Sequence, residues 1–462
     1  MAPNRYPQKS WSTRDPKSEL NLWNLFSQND QGKSTSLAHL ATIHYKTHHR
    51  PLRIALDQDS WNYGLTRAQE RSIQKSQRKN FKKQLQKSQS QTWCKKYIPS
   101  PKLRLFHREG NVLERLMGYI ALGVEFYVIV PSPLDREDVG EFGDRYANSN
   151  GKMHMWFRIL GDLGVRFHAA ANPVVECAYM LEHGVVDAVW TNNPDVLVYC
   201  GPTAVVFRDF EEDAGGPSVR DVRVYRVEEL RKEVSWSETV RIHTLFRSGY
   251  SIEDTFRVKG GDTSVLGTPM EGDLNLCKCT NQEEVNDWFQ QLISPFSDLN
   301  YNPKRPRYHI LEDYLTYSVS SNHHHHRSTE AQLFRQRCSS RMREIKQTHD
   351  DSLAFYDSNL MDRTRRLWEY SRDTFSVKTG RFVNLMAGVL IARRLGAAGG
   401  DLSFVTEHSD ESIDPWTVRI LVRIEDEPVL WNLRTKITKD ITGMVLNPLV
   451  LKILVEADGS NS

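Results

Sequence analysis

The sequence predicts an α/β protein built on a mainly parallel sheet, and three observations carry that prediction. Four short runs, Leu52–Asp57, Val124–Val130, Val165–Ala170 and Val185–Trp190, are largely apolar, and the last is rich in β-branched residues. Runs of this length and continuity suit strands buried on both faces. Between them lie segments whose apolar residues recur at three and four positions, as in Asn111–Gly123, Trp156–Leu163 and Val174–Leu181. Polar residues gather directly after the runs, at Asp57, at Asn172 and at Thr191–Asp195. Open α/β sheets place their ligands at those strand ends.

Composition sets the bounds. With 462 residues and 39% hydrophobic content, the chain can form two or three domains with sizeable cores. Its 61 basic residues barely exceed its 58 acidic ones, so any nucleic-acid footprint has to be local. Six cysteines (Cys94, Cys177, Cys200, Cys277, Cys279, Cys338) show no framework spacing, which suits a reducing compartment. No apolar run approaches the roughly 20 residues that span a bilayer, and the polar start is no secretory signal. The expectation is a soluble intracellular protein with no membrane partner.

In chain order, residues 1–18 are polar, contain Pro3, Pro7 and Pro16, and read as a disordered leader. Glu19–Phe26, a short helix over Ser36–Tyr45 and the strand Leu52–Asp57 follow; Asp59 reads as a turn residue. Segment 65–104 holds 12 of the 61 basic residues and a single acid, Glu70. Arg67, Arg71, Lys75, Arg78, Lys79, Lys82, Lys83, Lys87, Lys95 and Lys96 fall largely three or four apart, so a helix would carry a positive stripe. Phosphates track such a stripe, and Phe81 and Trp93 could stack on unpaired bases. A solvated surface helix or a nuclear import signal is the other reading.

Asn111–Gly123 is an amphipathic helix feeding the strand Val124–Val130, after which Asp135, Glu137 and Asp138 open a loop or helix. The 155–207 stretch runs helix, turn at Gly164, strand, helix ending at His183-Gly184, strand, and a polar turn closing on Asp195. Val196–Tyr199 begins another helix or strand. Val222–Val227 is a strand, followed by helices over Val227–Val234 and Ser237–Phe246. Cys277 and Cys279 lack the second ligand pair that zinc needs, and His323–His326 sits in a polar loop. Glu330–Lys346 is a charged helix, and Met361–Leu395 forms one or two amphipathic helices. Ser403–Val405, Thr417–Ile424 and Pro428–Leu433 read as strands.

The order Asn172, Glu176-Cys177-Ala178, Gly184-Val185-Val186-Asp187-Ala188-Val189, Asp195 resembles the internal region of the XPG family of structure-specific nucleases. That family includes flap endonucleases and Holliday-junction resolvases. Leu22-Trp23, Leu37, Asp57 and Trp61 follow its opening pattern. Phe375, Lys378, Phe382, Arg393-Arg394-Leu395, His408 and Val418-Arg419-Ile420 are similar to the carboxyl-terminal part of its fungal resolvase-like members. The resemblance implies a PIN-like nuclease fold, a helix-hairpin-helix-like region and a small chromodomain-like α+β unit. It divides the chain into leader 1–18, nuclease domain 19–235 (with insert 65–104 and internal region 155–207), helical region 236–320, His-rich loop 321–329, helical segment 330–400 and β unit 401–456.

Active members of the family hold two divalent cations in a carboxylate cage. By the resemblance, the ligand positions here read Asp57, Val130, Asn172, Val174, Asn193 and Asp195. Asp262 is a further acid if Gly260-Gly261-Asp262 opens the hairpin element, and that acid is gone if Ser248-Gly249-Tyr250 does. Two carboxylates cannot balance two dications, valine coordinates nothing, and asparagine offers only a carbonyl oxygen. The expected cofactor is therefore none, or Mg²⁺ held weakly by Asp57, Asp195, Asn172, Asn193 and Asp262. Val130 and Val174 are expected to line the same pocket. Glu176, two positions from Val174, is rotated about 200° away from it. The expected function is a nuclease-like pseudoenzyme that binds branched or flap DNA in repair, in the nucleus; RNA and the cytoplasm stay open. The alternatives are an active Mg²⁺-dependent 5′-flap or junction endonuclease, and a protein adaptor that needs no nucleic acid.

Overall fold

Burial with a period of two builds the central sheet. The computed structural model describes Trp23, 32–58, 113–131, 157–170, 172–209, 221–248, 276–293, 305–318, 329–347, 360–375, 377, 379–396, 405–409, 418–423 and 440–446. Seven strands lie in the order β1-β7-β6-β5-β2-β3-β4. They are β1 (Lys33–Ser36), β2 (Leu52–Asp57), β3 (Val124–Pro131), β4 (Arg166–Ala170), β5 (Ala188–Trp190), β6 (Val205–Asp209) and β7 (Asp221–Arg226). The five strands from β6 to β4 run parallel, and β7 and β1 add an antiparallel edge.

Leu52, Ile54 and Leu56 of β2, Phe126, Val128 and Val130 of β3, and Trp190 of β5 share one core. Ala55, Tyr127, Ile129 and Val189, the residues between them, share the other. Both faces of the sheet are thus apolar, which is why these strands read as continuous rather than alternating runs.

Helices cover each face. On the first face pack α1 (Leu37–His48), α2 (113–120), α3 (157–163), α11 (Leu360–Phe375) and α12 (Thr379–Gly396). On the second pack α4 (Pro173–Glu182), α5 (Val196–Tyr199), α6 (Val227–Glu233), α7 (Trp236–Arg247), α8 (Gln282–Ile293), α9 (Tyr308–Tyr317) and α10 (Thr329–Gln347). The span 361–395 is two helices, and they return to the sheet: Leu367, Phe375, Phe382 and Leu390 are buried with Leu56 and Val128. A small antiparallel sheet, β10-β9-β8, follows, made of β8 (Val405–Ser409), β9 (Val418–Arg423) and β10 (Asp440–Leu446). Its third strand is therefore Asp440–Leu446; the expected strand Pro428–Leu433 lies outside the described residues.

Local signals explain two boundaries. Helix α4 ends where Gly184 takes φ +65°, while Gly184 N–H bonds to Leu181 O at 3.0 Å and Val185 N–H to Met180 O at 2.9 Å. That pair of bonds is a Schellman cap, which only glycine adopts without strain. The following strand is shorter than the apolar run suggests, because Asp187 spends its carboxylate on the neighbouring strand. It accepts from Arg53 N–H at 2.9 Å and from both Arg50 Nη atoms at 2.7 and 2.6 Å. Segment 65–104, Asp59, Asp135, Glu137, Asp138, Asp262 and His323–His326 lie outside the described residues.

Since α12 shares the core of the sheet, Phe382→Ala should destabilise the whole sheet-and-helix body by about 3–5 kcal/mol. Denaturant unfolding followed by tryptophan fluorescence measures this. An unchanged main transition would mean that α12 is only appended.

Candidate functional site at the sheet's topological switch

The topology singles out one place. From β2 the chain moves to β3 and then β4 on one side, and afterwards crosses to β5 on the other side of β2. The carboxyl ends of β2 and β5 flank that switch, where adjacent loops part and leave a crevice. β2 ends in Asp57, and β5 runs into Thr191–Asp195.

The two strand ends are tied together. Thr191 Oγ1 donates to Asp57 Oδ2 at 2.8 Å and accepts from Asn193 N–H at 3.0 Å. Asn193 Oδ1 accepts from Asp195 N–H at 3.0 Å. One hydrogen-bonded chain thus joins Asp57 to Asp195. Trp23 closes the turn from outside: its indole N–H donates to Asn192 O at 2.7 Å, and its ring packs 4.7 Å from Tyr225. The Arg208 guanidinium lies 5.4 Å from the centre of the same ring.

Asp195 is fully buried, with 0% exposure, and a lone carboxylate could not stay ionised there. Helices α7 and α9 supply its partners. Arg247 Nε lies 3.0 Å from Asp195 Oδ1, and Arg247 Nη2 pairs with Oδ2. His243, one turn earlier, places Nδ1 3.0 Å from Oδ1, and Tyr314 Oη donates to Oδ1 at 3.1 Å. Arg247 Nη2 also lies 3.4 Å from Asn193 Oδ1. His243 and Arg247 share a face because they are four apart on a helix, and Ser235 caps its start by accepting from Glu238 N–H at 3.2 Å.

The remaining expected positions do different work. Asn172 is the N-cap of α4, accepting from Val175 N–H at 3.3 Å, with Pro173 in the first turn. Its side chain also hydrogen-bonds Tyr199, whose hydroxyl burial pushes well above the usual tyrosine range. Val130 and Val174 do not line one pocket, as expected from the sequence, but sit in the two cores on opposite faces of the sheet. Strand parity is the reason: Asp57 pairs with Ile129, so Val130 points the other way.

Glu176 is turned to a separate buried cluster. It meets His168 Nε2 at 3.1 Å, Arg341 Nη1 at 3.4 Å and Cys338 Sγ at 3.7 Å, which fastens α10 to α4 and β4. Burial pushes its pKa up, but hydrogen bonds and charge from His168 and Arg341 outweigh that and leave it below the ordinary glutamate value. Cys338 beside it is pushed up to about 12 by burial and by the Glu176 carboxylate.

This edge fits a pair of divalent cations poorly. Mg²⁺ needs several oxygens free to coordinate in octahedral geometry. Asp195 Oδ1 already meets three donors and Oδ2 is paired with a guanidinium. The Asn172 oxygen faces a helix amino terminus, and Asn193 Oδ1 is engaged twice. Among the described residues, no group of three or more His, Cys, Asp or Glu is placed to hold a metal ion.

Sequence reasoning missed Arg247, His243 and Tyr314, which lie 52, 48 and 119 residues from Asp195. The one available signal was a His and an Arg four apart on an amphipathic helix, a pattern common on surfaces. Arg341 and Cys338 were equally hidden as partners of Glu176.

No known family model matches the sequence, and no curated protein matches it. Solved structures do. A eukaryotic junction-resolving enzyme GEN-1, studied with caesium, superposes with a TM-score of 0.58 at 16% identity, over 96% of this chain and 99% of that one. The Holliday junction-resolving enzyme GEN1 in complex with product DNA and Mg²⁺ gives 0.54 at 16% identity, over 96% and 99%. GEN1 with product DNA, Mg²⁺ and Mn²⁺ gives 0.56 at 16%, over the same shares. At this identity the likeness establishes the fold.

Two variants probe the site's frame. Thr191→Val takes a donor from the buried Asp57 carboxylate and should cost about 1–3 kcal/mol in unfolding free energy. Because the folded pKa of Glu176 is depressed, its stabilisation is complete above the unfolded value and drains as pH falls through the folded one. The stability gap between the native chain and Glu176→Gln should therefore narrow steadily below about pH 4.5, the ordinary glutamate value. A gap independent of pH would mean that Glu176 carries no charge there.

Proposed function

We propose that this chain, which has the fold of the XPG family of nucleases, binds branched DNA without cutting it. The observation that carries the reading is the fate of Asp195. At the sheet's topological switch its carboxylate is bound to Arg247, His243 and Tyr314, so it is spent inside the protein. Two-metal hydrolysis needs carboxylates that hold cations near 4 Å apart to activate water and stabilise the leaving oxygen. Asp57 with one further paired acid and two asparagines cannot supply that charge. The fold itself supports nucleic-acid binding, since GEN1 with the same architecture is seen with product DNA.

Affinity for phosphate comes, in this proposal, from Arg67, Arg71, Lys75, Arg78, Lys79, Lys82, Lys83, Lys87, Lys95 and Lys96. Their density in 65–104 is far above what solubility demands. Asp57, Asn172, Asn193, Asp195 and Asp262 are, in the same proposal, vestigial ligand positions. The work of such a protein lies in the nucleus, at repair or processing intermediates. Among the described residues no helix is long and apolar enough to cross a membrane.

Incubation with 5′-flap and four-way-junction DNA in Mg²⁺ or Mn²⁺ should yield no product. Cleavage that vanishes in Asp57→Asn or Asp195→Asn would establish an active enzyme instead. For binding, Lys79, Lys82, Lys83 and Lys87 are replaced together by Gln and DNA is titrated at several salt concentrations. Each lost phosphate contact should flatten the log K against log[salt] slope by about 0.9 on duplex DNA. No DNA affinity in the native chain would favour the protein-adaptor reading.

A further inference from the structure

A carboxylate buried at a strand end needs a positive partner, and there are two ways to provide it. One is a bound cation; the other is a side chain of the protein itself. The Arg247 side chain is 3% exposed, so its guanidinium is nearly as deeply enclosed as the Asp195 carboxylate it meets. It reaches both carboxylate oxygens and the Asn193 oxygen of the same turn. His243 and Tyr314 fill the remaining directions around Oδ1.

We infer that Arg247 is a built-in replacement for a divalent cation at Asp195, so that this carboxylate is electrostatically satisfied without metal. The inference rests on the proposed function only for its DNA arm. Its physical content concerns repulsion. A cage of carboxylates repels a phosphate backbone until cations neutralise it. Here the Asp195 charge is cancelled internally, Asn172 and Asn193 are neutral, and Asp57 is bonded to Thr191. A phosphodiester approaching the switch point therefore meets the charge of Asp57 but not that of Asp195. Guanidinium suits this role because it stays charged at any working pH and its planar fork matches a carboxylate and an adjacent amide oxygen together. The position of Arg247, the last residue of α7, also makes the pair a clamp between that helix and the 191–195 turn.

The test measures thermal midpoints and junction-DNA affinity of the full chain in Mg²⁺, in Ca²⁺ and in EDTA at matched ionic strength. For the native chain, both readouts should be the same in all three. Arg247→Gln should have a lower midpoint that Mg²⁺ or Ca²⁺ raises, because the exposed need for a cation is then met from solution. Asp195→Asn should also lower the midpoint, by stranding the guanidinium. The double variant Asp195→Asn/Arg247→Gln should recover much of the loss and be indifferent to metal. If Arg247→Gln does not fold, the comparison of Asp195→Asn with the double variant decides: recovery supports the inference and an equal or lower midpoint overturns it. A native midpoint that rises with Mg²⁺, and stops doing so in Asp195→Asn, also overturns it, since the carboxylate would then be serving a metal. Should the native chain bind no DNA, the midpoints alone carry the test, and only the proposed function fails.

Discussion

The ion pair between Asp195 and Arg247 is the contact on which the arrangement of the sheet's carboxyl edge depends. Both side chains are almost wholly removed from water, so each charge is left uncompensated if the other is lost. Breaking such a pair typically costs about 3–5 kcal/mol, a large share of a domain's stability. The pair holds α7 against the turn, and Tyr314 draws α9 to the same carboxylate. From Asp195 the constraint passes through Asn193 and Thr191 to Asp57, and Trp23 rests on Asn192 beside them. Elements far apart in sequence therefore converge on one charge.

That convergence needs the sheet to present the right residues to the right face. In β2, alternation sends Leu52, Ile54 and Leu56 into one core and leaves Ala55 and Asp57 on the face covered by α4 to α10. The same parity removes Val130 from the site, whatever its position in a motif suggests. The opposite face is sealed by α11 and α12, which come from the far end of the chain. Stability of the site edge is thus shared between an electrostatic clamp on one side and an apolar cover on the other.

Much of the architecture was legible because it rests on local rules. Short apolar runs marked β2, β3 and β4, and the His183-Gly184 stop became a Schellman cap at Gly184. Asp57 and Thr191–Asp195 were legible as strand-end residues, and the fold shared with GEN1 agrees with the motif order. What escaped was set by contacts between distant segments. Nothing near Arg247 in sequence announces Asp195 as its partner, and nothing near Glu176 announces Arg341 or Cys338. Asn172 shows the converse hazard: a residue aligned with a ligand position serves as a helix cap, for which asparagine is among the best choices. The third strand of the small sheet was missed because Asp440–Leu446 mixes glycine and polar residues with its apolar ones.

The most direct measurement of the central claim is a titration of Mn²⁺ into the native chain, with and without four-way-junction DNA, followed by electron paramagnetic resonance. With Arg247 already seated on Asp195, the free Mn²⁺ signal should grow in proportion to added metal, with no saturable protein site. A saturable site of defined stoichiometry that disappears in Asp195→Asn would contradict the account, because the carboxylate would then be a metal ligand and not the partner of an arginine.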